Sequence, residues 1–286
     1  MQTSLSAARR AYQDASPPTH THVEAVVFDW AGTTVDHGCL APVASFIEVF
    51  RRRGVDITVE EARAPMGTQK RTHIEMLTKM APIAERWQSV HGRSPTSEDV
   101  DAMFRDFLPL QLACLADRAE PIDGLLETVG ALRRRHIKIG STTGFTREMM
   151  DVLLPAAKAH GYCPDAVVTP TDVPAGRPYP FMCLKNAIDL GVTSVSTCIK
   201  VDDTTVGIEE GLNAGMWTVG VAATGNELGL TKEEFATLDP LVRSALIARA
   251  RTRLRAAGAH HVIDSVSDFL IALEDIETRL SVGERP

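Results

Sequence analysis

The sequence predicts an α/β protein, a doubly wound parallel sheet carrying an inserted α-helical domain. Three observations predict it. Short, nearly continuous apolar runs read as strands buried on both faces. Beyond Gly124 these runs alternate with helical periodicity, the pattern of parallel strands joined by right-handed crossovers. Between Cys39 and Ala119, in contrast, the periodicity is helical and no segment reads as a convincing parallel strand.

Taken in order, the first strand covers residues 24–28 and runs straight into Asp29-Trp30-Ala31-Gly32-Thr33-Thr34, so those residues sit at its C-terminal end. Residues 42–53 then place Val43, Phe46, Ile47 and Phe50 at helical spacing. Residues 59–64, 70–78, 81–91 and 97–115 also read as helices, the last one capped at its start and amphipathic through Val100, Met103, Phe104 and Phe107. In the second half, helices are expected over 125–135, 147–160, 180–190 and 207–214. Strands are expected over 137–141, 166–169, 198–201 and 217–221. A long basic helix (241–257), a short strand (261–263) and a last helix (266–278) complete the chain. The expected domains are a Rossmann-like core of residues 23–38 and 120–286, a helical cap of 39–119, and a polar, disordered lead-in over 1–22.

The 286 residues suffice for such a core and insert. A net charge of −7 argues against non-specific nucleic-acid binding. Five cysteines, with no C-x-x-C pair, argue against a disulfide framework or structural zinc and for a reducing compartment. No stretch is apolar and long enough to span a membrane, and the N-terminus lacks a signal-peptide core, so a cytoplasmic location is expected.

Polar motifs fall at strand ends, where open parallel sheets bind ligands. Asp29 at the end of the first strand is placed to attack an electrophile beside a tight turn rich in N–H groups, although a lone aspartate there is more often a turn or cap residue. Asp202-Asp203 follow another buried strand; adjacent carboxylates suit a hard cation such as magnesium, or simply a solvated loop. Thr143 and Gly144 offer a hydroxyl and N–H groups to phosphate. Arg177 could bind a phosphoryl group through two hydrogen bonds, or lie on the surface. Lys70 and His73, three apart, share one helix face. An amine there could condense with an aldehyde and an imidazole relay its proton; an arbitrary Lys-x-x-His is more often a solvated basic face.

In this order, D-x-x-G-T-T, a strand-end threonine, a downstream basic residue and a strand-end aspartate pair resemble the haloacid dehalogenase superfamily, over about residues 23–222. The resemblance implies that Asp29 is a nucleophile forming an aspartyl-phosphate. Phosphatases of that superfamily carry an acid two residues later, and here that position is Ala31. The segments Phe28–Cys39, Gly67–His73, Thr142–Thr146, Gly176-Arg177-Pro178 and Asn213–Gly220 narrow the likeness to the phosphonoacetaldehyde hydrolases. What that likeness implies is hydrolysis of a carbon–phosphorus bond in 2-aminoethylphosphonate degradation by a magnesium-dependent homodimer. Lys70 would form a Schiff base and His73 assist its proton transfers. Cys39, Thr143, Gly144 and Arg177 would contact substrate. Asp29, the Ala31 carbonyl and Asp203 would hold Mg2+. One departure stands out: the family's usual acid four residues beyond the metal-binding aspartate is here Gly207, and Asp202 is an extra carboxylate expected to take over metal-shell work directly or through water. Met76, Met80 and Trp87 are expected to supply apolar surface to a cap-mediated dimer. Two other readings remain: a phosphate-ester hydrolase or phosphomutase of the same superfamily, and an inactive phosphate-binding protein.

Overall fold

The computed structural model describes residues 22–286, so the predicted disordered lead-in lies outside the described residues apart from its last residue, His22. Six parallel strands form one sheet: β1 (Ala25–Phe28), β2 (Lys138–Thr142), β3 (Ala166–Val168), β4 (Cys198–Asp202), β5 (Trp217–Val221) and β6 (His261–Ile263). Their order is β3-β2-β1-β4-β5-β6. The chain thus winds outward from β1 in one direction and then, from β4, in the other. Ligands bind in the crevice such a reversal opens at the strands' C-terminal ends. Register aligns those ends: Phe28 pairs with both Ser141 and Val201. Asp29, Thr142-Thr143 and Asp202-Asp203 are therefore neighbours on one edge.

Apolar composition explains the central strands. All four residues of β1 are buried, as are all five of β4 and β5. Lys200, in the middle of β4, is buried with them; a lysine is rarely found there without a partner.

Of the six α-helices between β1 and β2, the first five belong to the insert: α1 (Ala41–Arg51), α2 (Val59–Arg63), α3 (Lys70–Lys79), α4 (Ala81–His91) and α5 (Ser97–Leu115). The five helices predicted over 42–53, 59–64, 70–78, 81–91 and 97–115 each match these to within two residues at either end. The start of α5 is capped by Thr96, whose side chain accepts from the Asp99 N–H while the Asp99 carboxylate accepts from the Thr96 N–H. Phe46, Phe50, Ile74, Leu77, Trp87, Met103 and Phe107 are buried within the insert, in an apolar cluster that runs on into the core of the sheet domain. Here the expectation for Trp87 fails: its ring is fully buried and packs on His91, because α4 turns it into the helical interior. Met76 remains 42% exposed, and Met80 is half-buried against the interior.

Helices α6 (Leu125–Arg134), α7 (Arg147–Ala159), α8 (Phe181–Asp189) and α9 (Thr205–Asn213) link the strands as predicted. The basic helix near the end, Pro240–Ala256, is preceded by a short unpredicted helix, Lys232–Thr237, whose Thr231/Glu234 capping box was readable in the sequence. Among the described residues no helix is long and apolar enough to cross a membrane.

Candidate active site

The crevice between the β1–β4 edge and the helical insert gathers Asp29, Ala31, Cys39, Lys70, Thr143, Gly144, Arg177 and Asp203 around one cavity of about 20 Å3. Those residues lie as far apart in sequence as 29 and 203. A space that size holds about one water. Two glycines set the closeness of the seam. A Cβ on Gly144 would lie 2.6 Å from the Thr68 carbonyl oxygen, and one on Gly67 2.4 Å from the Thr204 hydroxyl. A second cavity of about 540 Å3, bordered by His37, Phe235 and Ile247, shares no lining residue with this one.

The sheet side is crowded with buried charge. Asp29 Oδ1 accepts from Arg177 Nη2 at 2.7 Å. Burial, reinforced by the Asp202 charge, raises the Asp29 carboxyl to about 6 despite the opposing pull of Arg177 and Lys200. The Arg177 guanidinium also donates to Glu210 through Nε at 2.9 Å, to the Thr142 hydroxyl at 2.9 Å, and to the Gly67 carbonyl of the insert at 3.3 Å. Lys200 donates to Thr142 at 2.7 Å and lies 2.8 Å from Asp202 and 3.5 Å from Glu210. Burial and Arg177 act to lower the Lys200 pKa, but Asp202 and Glu210 outweigh them and it is raised. Thr142 lies in the segment Thr142–Thr146 but has no role assigned from sequence, and Lys200 and Glu210 lie outside every motif. The signal for Lys200 was a cation in an otherwise apolar strand.

Asp29, Asp202 and Asp203 place buried carboxylate oxygens within 4.8 Å of one another. Asp202 is already compensated. One oxygen accepts from the Thr204 N–H and hydroxyl at 3.0 and 2.7 Å. The other lies near Lys200 and 3.1 Å from Arg177, close enough for ion pairing though off the line of a hydrogen bond. Burial acts to raise Asp202, but Arg177 and Lys200 win and its carboxyl is lowered. Asp203 is different. Its partners are the Thr33 hydroxyl at 3.3 Å and the Asn226 N–H at 2.7 Å, and no ion pair reaches it among the described residues. Burial, then repulsion from Asp29 and Asp202, push its carboxyl well above the usual range. Asp203, which no side-chain cation compensates among the described residues, lies beside Asp29, and the pair offers only hard oxygen donors, which fits a small divalent cation.

The Gly207 departure has a steric cause. A Cβ on Gly207 would fall 2.0 Å from the Asp202 carboxyl carbon. The Asp202 carboxylate fills the volume that a side chain at 207 would need.

The insert side has the opposite character. Lys70 is 3% exposed, and its ammonium nitrogen lies 4.7 Å from the Phe145 ring centre and 5.8 Å from that of Phe46. Burial lowers its pKa from the ordinary lysine value. His73 is wholly buried, stacked on Phe46 at 3.8 Å. Its Nε2 lies 2.9 Å from the Ala62 carbonyl oxygen, which can only accept, so Nε2 carries the proton and Nδ1 presents a bare lone pair. That Nδ1 is buried with no hydrogen-bond partner. Burial and the Lys70 charge hold the ring's pKa well below the usual histidine range. Cys39, with φ of 50°, is buried, and burial pushes its thiol well above the usual range. Thr143 turns its hydroxyl to accept from the Phe145 N–H at 3.1 Å. Phe145, part of the Thr142–Thr146 segment but given no role from sequence, adjoins Thr143-Gly144 and closes the lysine pocket.

Comparison with known proteins agrees with this architecture. Residues 23–215 match the haloacid dehalogenase-like hydrolase family. A phosphonoacetaldehyde hydrolase from Bacillus mycoides is 52% identical over 89% of this chain and 97% of its own. One from Nitratidesulfovibrio vulgaris is 48% identical over 92% and 94%. The crystal structure of a phosphonoacetaldehyde hydrolase-like protein from Oleispira antarctica superposes with a TM-score of 0.91, at 46% identity, over 92% of this chain and 96% of that one.

Proposed function

Because the chain belongs to the phosphonoacetaldehyde hydrolase family of haloacid dehalogenase-like hydrolases, we propose that it cleaves the carbon–phosphorus bond of phosphonoacetaldehyde, with Lys70 activating the aldehyde and Asp29 attacking phosphorus. The observation that carries this is the pairing of a buried, carboxylate-free lysine with a buried aspartate across one closed crevice.

Heterolysis of a carbon–phosphorus bond leaves an electron pair on carbon, and a simple alkyl carbanion is too basic to depart. Lys70, favoured in its neutral form by burial, condenses with the aldehyde and loses water to give a protonated imine. The unpartnered Nδ1 of His73 shuttles a proton from the carbinolamine nitrogen to its oxygen, and one further proton, from solvent, lets that oxygen leave as water. Attack of an Asp29 oxygen on phosphorus breaks the carbon–phosphorus bond, and the electron pair moves through the iminium to nitrogen, leaving a neutral enamine on Lys70. Protonation at carbon and hydrolysis free acetaldehyde and the lysine amine. Water attacks the aspartyl-phosphate, returning Asp29 and phosphate. The leaving atom is carbon, so an oxygen-directed acid at position 31 would have no task; Ala31 stands there.

Asp29, Asp203 and the Ala31 carbonyl are assigned to a magnesium ion, which when bound offsets repulsion between the carboxylate and the phosphonate. Asp202 serves that site from outside, by holding Arg177 and Lys200. Arg177, Thr143 and the Gly144 N–H receive the phosphonyl oxygens, and Cys39 borders the substrate. Residues 39–119 act as a cap that opens for substrate and closes over it. The free thiols fit a reducing, cytoplasmic setting, and exposed Met76 is assigned to a homodimer contact through the cap.

The test is acetaldehyde release from phosphonoacetaldehyde with magnesium, native protein against Lys70→Arg. Release by the native protein that the variant loses, with borohydride trapping a carbon adduct on Lys70, is the expected result. Absence of release from folded native protein, together with turnover of a phosphate monoester, would replace this reading with ester hydrolysis.

A further inference from the structure

Arg63, at the end of α2, bridges from the insert to the sheet domain. Its Nη1 donates to the Gly38 carbonyl at 2.9 Å and to Asn226 Oδ1 at 3.1 Å, and its Nη2 donates to the Gly229 carbonyl at 3.0 Å. Asn226 returns the contact, its Nδ2 donating to the Arg63 carbonyl at 3.4 Å. These partners are neutral oxygens, so the guanidinium is used for its shape rather than for pairing with an anion. The receiving loop is formed around it: Gly229 has φ of 66°, and a Cβ there would lie 2.5 Å from the guanidinium carbon. The same Asn226 donates its backbone N–H to Asp203.

We propose that Arg63 and Asn226 form a latch that holds the cap shut and ties closure to Asp203, making both of them positioning residues for Lys70. The inference rests on the reading of residues 39–119 as a moving cap over Lys70. The latch spans the hinge at Gly38 and the loop that fixes Asp203. Closure therefore brings Lys70 over the crevice only when that loop is in the place that also orients the Asp203 carboxylate. Charge-assisted hydrogen bonds of this kind are strong enough for their loss to shift a closed–open equilibrium roughly ten- to a hundred-fold.

Cys39 is buried in the closed crevice and provides the probe. In a background with exposed Cys163 and half-buried Cys114 changed to serine, Cys39 would be labelled with a thiol reagent in the protein alone and in its Arg63→Met, Arg63→Lys and Asn226→Ala forms. The expected result is labelling about ten- to a hundred-fold faster in all three. Lysine would not rescue, since a single ammonium cannot reach the separated acceptors, and Asn226→Ala keeps the N–H that Asp203 uses. Unchanged labelling would overturn the latch. Equal acceleration at Cys183 and Cys198, buried in the sheet domain, would also overturn it, by showing general loosening. Labelling requires no turnover, so failure of the proposed reaction would leave this result readable, and failure of the latch would not touch acetaldehyde release.

Discussion

The two sides of the crevice solve opposite electrostatic problems. On the cap side one amine is buried between Phe46 and Phe145 and has no carboxylate in ion-pair contact among the described residues. On the sheet side Asp29, Asp202 and Glu210 are buried with Arg177 and Lys200 in one ion-pair network, and only Asp203 beside it is left without a cation. Desolvation alone drives a lysine toward its neutral, nucleophilic form. The same desolvation would also neutralise carboxylates, and there the protein opposes it with buried cations. The proposed chemistry thus depends on keeping the two environments apart within one crevice.

That separation can be broken from either side. The largest effect is expected from Lys200→Met, which leaves Asp202 and Glu210 short of a buried cation. Removing one partner of such a network costs about 3–5 kcal/mol, to be read as a fall in urea-unfolding free energy. A drop under 1 kcal/mol would mean that Arg177 alone satisfies both acids. Next, Phe145→Glu would carry a carboxylate to the cap side. An adjacent opposite charge favours the ammonium by about 1–3 pKa units, so borohydride trapping at Lys70 should slow roughly ten- to a thousand-fold at fixed pH. Trapping at the native rate would show that aromatic isolation is not what readies the amine.

A third outcome concerns pH. Asp29 titrates in the folded protein at about 6, above its value in the unfolded chain, and a metal needs the carboxylate. Protons therefore compete as pH falls through 6, and magnesium affinity should weaken about tenfold between pH 7 and 5, measured by calorimetry. The sign for stability is the reverse. In metal-free protein the raised pKa stabilises the fold below the unfolded value near 4, and this is lost as pH rises through 6. The smallest effect belongs outside the crevice. Lys185 and Asp189 form an exposed pair at 3.0 Å, and Lys185→Ala should change stability by less than about 0.5 kcal/mol.

Much of the architecture was legible because period and burial coincide. The strands of the sheet are apolar runs, and the insert's helices carry regular apolar faces. Asp29, Lys70, Arg177 and Asp203 stood out because each lies in a motif whose order along the chain could be matched. The supporting charges did not. Glu210 looks like any helix carboxylate until α9 turns it inward against Arg177. Asn226 and Arg63 lie in segments with no motif, and only the closed fold brings them together. Trp87 failed for the converse reason: an amphipathic helix announces an apolar face, but not whether that face meets its own domain or another chain.

The close fit of Asp202 against Gly207 also constrains how this sequence can change. There is room for one carboxylate in that corner and two places along the chain from which to supply it. A side chain cannot be added at 207 while Asp202 remains, because its first carbon would already overlap the existing acid. Relocating the charge must begin with loss of Asp202, through an intermediate in which Lys200 and Arg177 face fewer acids than they need. Moving the acid from 202 to 207 thus takes two substitutions made together, because either one alone leaves an overlap or a missing charge.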